Sequence, residues 1–377
     1  RFNWQTPIHL SVHHQDILYI GSNKFHRSMK QGDDWETLSG DLTKGGKKGN
    51  VPYGTLSSIH ESPMKFGLIY VGTDDGNIHI TKDGGYNWTK ISDNLPDNMW
   101  VSRVIASAHQ EGTVYASLNG YRWDDFNSYV YASFDYGKSW KQIGKTLPKE
   151  PVNVIKEDPK NANVLYVGTD HGVYVSLDKG QTFMGMYKDL PAVPVHDLVI
   201  HPTANDLVIG THGRSIYTAP IEHLQKTTPF ILSKPLYVFD IDPTSYSSRW
   251  GNKRNAWREA SLPKVKIPVY LKEAGNLQLT IQTADSLVLK EWEYAANVGF
   301  NYVEYDLSLE ADKVADYEKE LNKELKEGDA TSLNPSKGEK YLKLKKADNE
   351  VFYLKAGKYK VMIEGNGESV EGNLEVK

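Results

Sequence analysis

Two pairs of adjacent aspartates, Asp74-Asp75 and Asp124-Asp125, are the side chains whose type and spacing come nearest to catalytic machinery. Hydrolysis of a glycosidic bond needs two carboxyl groups about 5–10 Å apart across the sugar, one to give a proton and one to act on the anomeric side. Beside the second pair stand Tyr121, Arg122 and Trp123. Trp100, Arg103, Asp170 with His171, and His212 with Arg214 repeat the same mix of aromatics, cations and acids. Such a mix suits stacking on a sugar face, or capture of an acidic peptide through charged hydrogen bonds. The strings Asp-Asp-Gly and Asp-His-Gly also suit tight hairpins. What these residues do therefore depends on the elements that hold them.

Other chemistries find less support. There is no Ser-His-Asp signature and no phosphate-binding glycine loop. No metal-ligand spacing is present; a divalent cation near Asp74-Asp75 is the one metal site the sequence allows, and no other cofactor is expected. Cysteine is absent, which removes disulfides, thiol nucleophiles and Cys-ligated zinc together. The net charge of −4 argues against nucleic acid or an anionic membrane as the main partner. No apolar run approaches the ~20 residues a membrane-spanning helix requires. Tyrosine and tryptophan are plentiful and helix-period stretches few, which points to sheets.

The elements repeat. Four octets align: Ser28–Trp35, Thr81–Trp88, Ser133–Trp140 and Ser176–Phe183. Each begins with a hydroxyl (Ser28, Thr81, Ser133, Ser176), has Gly fifth (Gly32, Gly85, Gly137, Gly180) and ends in an aromatic (Trp35, Trp88, Trp140, Phe183). Asp83, Asp135 and Asp178 hold the third place, and Lys30 replaces Asp in the first octet. Seven residues after each aromatic comes Leu42, Leu95, Leu147 or Leu190. A strand such as Leu18-Tyr19-Ile20-Gly21 or Leu165-Tyr166-Val167-Gly168 precedes each octet, and Leu207-Val208-Ile209-Gly210 begins a fifth unit without one. One period of about 42–53 residues reads as four short antiparallel strands, A to D, with the octet as the C–D turn. In the fourth unit they fall near 152–156, 164–168, 173–176 and 182–186. Such sheets repeated radially form a propeller, which leaves only short edges.

With these octets, and with Arg1-Phe2-Asn3-Trp4, Val101-Ser102-Arg103-Val104, Tyr129-Val130-Tyr131 and Thr211-His212-Gly213-Arg214, the chain resembles the Asp-box, or BNR-repeat, propellers. That superfamily includes sialidases, two-propeller xyloglucanases and sortilin-type receptors. The likeness is greatest to large secreted bacterial BNR/sortilin-like proteins, often labelled glycosyl hydrolases on the repeat alone. In such relatives these segments come late in a longer chain. The resemblance thus implies that Arg1 is a break point and that missing N-terminal blades complete the ring. The sialidase Arg-Ile-Pro motif is absent.

The expected architecture is all-β: Asp-box blades over 1–222, a linker over 223–234, and an immunoglobulin-like β-sandwich over 235–377 with a short helical insertion near 311–326. Strands are expected at 265–271, 277–283, 302–307 and 358–364, with Gly328 ending the helix and a solvated Lys-rich excursion to Lys346. In propeller geometry the B–C hairpins and D–A connections share one face. Asp74, Asp75, Trp100, Tyr121–Asp125, Asp170, His171, His212, Arg214, Arg103 and the basic run Lys44–Lys48 gather there. The Asp-box carboxylates open on the other face and read as structural. The functional expectation is an extracytoplasmic binding or scaffold protein of the bacterial envelope. It would hold a peptide, glycan or protein on that face or in the central channel. Its own N-terminal half or an outer-membrane assembly are further possible partners. The alternatives are a non-sialidase Asp-box glycoside hydrolase and an architectural subunit.

Overall fold

The computed structural model describes residues 1–46, 53–186, 189–255, 257–327 and 341–377. They form two compact units, Arg1–Lys226 and Thr227–Lys377. Lys47 and Lys48 of the basic run, and Gly328 with the following residues to 340, lie outside the described residues.

The first unit is a succession of blades. Blade 1 comprises strands A to D at Ile8–Leu10, Leu18–Gly21, Phe25–Ser28 and Glu36–Thr37. Blade 2 has Leu56–Glu61, Ile69–Thr73, Ile78–Thr81 and Thr89–Lys90. Blade 3 has Trp100–Ala106, Val114–Asn119, Tyr129–Ser133 and Lys141–Ile143, and blade 4 has Val152–Glu157, Leu165–Thr169, Gly172–Ser176 and Met184–Gly185. Each is an antiparallel meander, as the repeat predicts. Blade 5 stops at three strands, Val195–Ile200, Asp206–Thr211 and Ile216–Pro220, and it is the unit without an octet. The B strands of blades 2 and 4 are buried along their whole length, because sheets cover both faces. The D strands run only two or three residues and are mostly exposed.

The octets close on themselves through side chains. Thr81 Oγ1 accepts the Gly85 amide at 3.0 Å and donates to Asp83 at 2.8 Å, while Asp83 accepts the Asn87 amide at 2.9 Å. Ser133, Asp135, Gly137 and Ser139 repeat this network, as do Ser176, Asp178, Gly180 and Thr182. The turn amides have no strand partner, so the side chains supply one. In the first octet Ser28 still accepts from Gly32, but Lys30 pairs with Asp34 and no carboxylate clamps the turn. Three aromatics pack back on the preceding blade; Trp35 does not, and stays 46% exposed.

The expected linker is occupied by two short helices, Glu222–Lys226 in the first unit and Pro229–Ser233 in the second. Thr228 caps the latter, accepting from the Ile231 amide at 3.3 Å. Two larger sheets follow, Leu236–Val238, Val265–Leu271 and Gly299–Tyr305 in one, and Val288–Ala296, Gly275–Gln282, Gly357–Gly365 and Glu368–Val376 in the other, with Ser308–Leu309 and Phe352–Tyr353 forming a small third. Ile267, Val269, Leu279, Ile281, Val361 and Ile363 share one core between them. The helix Val314–Glu327, led by a 3-10 turn at Ala311–Lys313, buries Tyr317 and Leu321 against that core.

Candidate functional site

In four successive blades the A strand carries one residue that the neighbouring B strand skips. Ser57 falls between the pairs Leu56–Thr73 and Ser58–Gly72, and Ser102 between Val101–Leu118 and Arg103–Ser117. Asn153 and His196 occupy the same place in blades 4 and 5. A bulge of this kind bends the strand and re-aims one side chain out of the simple alternation. All four bulged residues line a single cavity of about 1060 Å³, bounded by the A strands of all five blades. Ser57 donates to the Val101 carbonyl and Ser102 to the Val152 carbonyl, both at 2.7 Å, so these bulges also tie each blade to the next.

The structure brings Trp100, Arg103, Tyr121, Arg122, Asp170 and His212 to this cavity. The Arg122 guanidinium lies over the Trp100 ring, 4.1 Å from its centroid. Arg103 pairs with Asp197 at 2.9 Å, and Asp170 accepts from Asn153 Nδ2 at 2.9 Å. Tyr121–Trp123 forms a 3-10 turn closed by Asp124 in the left-handed region. Trp123 donates its indole N–H to the Asn98 carbonyl and lines none of the cavity. His171 sits 3.4 Å from Glu150, and Arg214 is exposed; both lie off the cavity.

The acidic pairs do not converge. Asp74 is fully buried and accepts from the Tyr53 and Thr55 amides at 2.8 Å, from Thr55 Oγ1 at 3.0 Å and from Asn3 at 3.4 Å. Asp75 accepts from Thr73 Oγ1 and the Lys44 amide, and burial pushes its carboxyl above the usual range. Asp125 accepts from Asn127 and Tyr129 within its own loop. None of the four lines the cavity; Asp74 and Asp75 brace loops distant in the sequence and Asp125 its own loop. Among the described residues no group of three or more His, Cys, Asp or Glu side chains is placed to hold a metal ion.

Sequence reasoning missed the inner wall: His9, His60, Asn153, Lys156, His196 and Asp197. Among the described residues five charged ones line the cavity, the cations Arg103, Arg122 and Lys156 against Asp170 and Asp197. Burial, followed by the nearby Arg103 charge, lowers Lys156 from its ordinary value. His9 is lowered to about 4 by burial, and His60 well below its ordinary value by burial and by His9. Both rings are held neutral, because His9 Nε2 accepts the Glu61 amide and His60 Nδ1 the Ala106 amide. His196 is lowered by burial and by His212, whose ring centroid is 5.3 Å away. The described residues of the cavity thus offer hydrogen-bonding groups, an aromatic–guanidinium stack and an excess of one positive charge.

Comparison with known proteins gives one family match and several structural ones. The model of the sortilin family, described as "Sortilin, neurotensin receptor 3", matches residues 128–234. No curated protein matches the chain. Among solved structures, an ancestral GH74 enzyme is 14% identical over 77% of this chain and 38% of its own, with a TM-score of 0.47. The GH74 xyloglucanase of Xanthomonas campestris is 8% identical over 99% of this chain and 54% of its own, also at 0.47. The GH74 enzyme of Niastella koreensis is 16% identical over 97% of this chain and 56% of its own, at 0.46. The chain therefore spans between about two fifths and just over half of the length of these structures. The first unit is a run of β-propeller blades joined by Asp-box octets, and residues 128–234, from its third blade into the start of the second unit, are similar to the sortilin family.

Proposed function

We propose that the first unit is a binding module that takes an anionic segment of a ligand, such as an acidic peptide, into the cavity walled by the A strands. The observation that carries this reading is Lys156. Lys156 lines the cavity, no carboxylate forms a salt bridge with it among the described residues although Asp197 and Glu157 act on it at longer range, and burial weakens its charged form. A carboxylate entering beside it would add a direct charge partner. Arg122 is likewise without an acid and is oriented by Trp100. The sortilin likeness agrees with binding rather than turnover, and with an extracytoplasmic location in which the chain acts as a receptor or scaffold. No helix among the described residues is long and apolar enough to cross a membrane.

The test is calorimetric titration of the protein with a glutamate-rich decapeptide, alongside a panel of neutral and uronic-acid glycans. Saturable peptide binding is expected, weakened about tenfold or more by Lys156→Met and by Arg122→Ala. Binding that ignores both substitutions would remove the reading. So would hydrolysis of any glycan in the panel that Asp74→Asn or Asp124→Asn abolishes in folded protein, which would establish the glycosidase alternative.

A further inference from the structure

The second unit carries a surface that the propeller chemistry leaves unused. Between Leu236–Val238 and Val265–Leu271 the chain makes an excursion containing Arg249, Lys253, Arg254, Trp257 and Arg258, with Glu259 the one acid among residues 247–261. Its base is stapled. Trp250 is buried and meets the Tyr246 ring at 5.3 Å, and the Gly251 amide donates to the Ser261 carbonyl at 2.8 Å. The Lys253 amide donates to Asp348 at 2.8 Å, and Asn252 accepts the Asp348 amide at 3.0 Å. Its tip is bare. Trp257 is 95% exposed, Leu262 nearby is 60% exposed, and all four cations are exposed with no acid paired to them among the described residues.

We propose that this braced loop docks the protein on an anionic lipid surface, with Trp257 entering the interface and Arg249, Lys253, Arg254 and Arg258 over the headgroups. Two observations favour lipid over a glycan or a protein groove. A sugar-stacking platform needs a ring whose plane is fixed by its neighbours, as Arg122 fixes Trp100; Trp257 has no ring or cation contact among the described residues. Partition into a bilayer interface demands reach and an amphipathic ring, and no fixed orientation. The four cations are also all exposed with no acid paired to them among the described residues, which leaves them free for a flat anionic surface. The overall charge of −4 does not oppose this, because attraction to a surface falls off within a Debye length and the local charge decides it.

The experiment is co-sedimentation of the whole protein with vesicles of phosphatidylcholine alone or with phosphatidylglycerol, at low and physiological salt. Soluble heparin serves as a separate probe. Binding is expected only to the phosphatidylglycerol vesicles, weakened by salt and by about fivefold for each cation lost in Arg254→Gln and Arg258→Gln. Trp257→Ala should cut binding further and remove the blue shift of tryptophan emission, while Trp4→Ala, at a residue 94% exposed in the first unit, should change neither. Since Trp257 and the cations are exposed, melting temperatures should not move. Equal binding to neutral vesicles, binding that survives Trp257→Ala, or heparin binding without vesicle binding would each overturn the proposal.

Discussion

The Trp140 indole donates its N–H to the Ile91 carbonyl of the preceding blade at 2.7 Å, so an octet of one sheet is completed by the sheet before it. Trp88 makes the same reach to the Leu38 carbonyl at 3.3 Å, and the Phe183 amide is held by Thr146 Oγ1 of blade 3 at 2.7 Å. The octet glycines occupy the same junction: a Cβ on Gly137 or Gly180 would run into Ile91 or Ile143, and one on Gly85 would crowd Phe25 and Leu38. Neighbouring blades therefore stabilise one another through a repeated contact, in the manner of a linear array.

Replacing Trp140 by Phe should remove the hydrogen bond and keep most of the apolar contact, at a cost of about 1 kcal/mol. Trp140→Ala should cost about 3–5 kcal/mol. Trp35→Phe, at the octet aromatic that stays 46% exposed among the described residues, should fall within about 0.5 kcal/mol of zero. Urea unfolding followed through the first unit's transition measures all three. A loss at Trp35 equal to that at Trp140 would contradict the stacking order.

Two glycines separate backbone strain from crowding. Gly137 and Gly213 have similar positive φ, 83° and 76°. An alanine Cβ at 137 would lie 2.3 Å from Ile91 Cδ1, whereas at 213 nothing lies within 4 Å. Both substitutions incur the left-handed penalty of roughly 1–2 kcal/mol. Gly137→Ala should add about 1–3 kcal/mol for overpacking, and the difference in thermal midpoint between the variants reports that part alone.

The fold was legible because the octet is a local device: hydroxyl, carboxylate, glycine and aromatic act within eight residues, so their spacing is visible without knowing the neighbours. The cavity wall was not. Ser57, Ser102, Asn153 and His196 point inward because the A strands bulge, and no propensity marks which residue a partner strand will skip. Their common place, directly after Leu56, Val101, Val152 and Val195, was the available signal. Asp74 misled because Asp-Asp-Gly is compatible both with an exposed acid pair and with a buried turn clamp. In the second unit, Val288–Ala296 alternates half-buried and exposed positions over much of its length, but its Lys-Glu-Trp-Glu-Tyr composition obscured a strand.

The clamps predict an acid transition. Asp83 and Asp135 are each held down to about 2, first by the side chain and then by the amide of the residue four places on. A carboxylate depressed by folding stabilises the native state above its ordinary value near 4, and that contribution disappears as pH falls toward 2. The melting temperature should therefore drop between pH 4 and pH 2. In Asp83→Asn with Asp135→Asn the starting stability should be lower and the drop smaller. An unchanged drop would assign the acid sensitivity to other groups.

Asp74 and Asp124 give the sharpest separation of structure from chemistry. Two backbone amides, a hydroxyl and an amide NH2 group point at the buried Asp74 carboxylate. Asparagine offers one acceptor oxygen, and its own NH2 would face the Tyr53 or Thr55 amide, donor against donor. Asp74→Asn should cost about 2–4 kcal/mol, since the buried amides lose their charged acceptor. Asp124 is exposed at φ 56°, a conformation asparagine tolerates, so Asp124→Asn should be within about 0.5 kcal/mol of neutral. Melting curves and peptide titrations on the same samples check both. If Asp74→Asn melts like the parent, the clamp is not what holds the Asn3–Tyr53–Thr55 junction, and its burial would require another explanation.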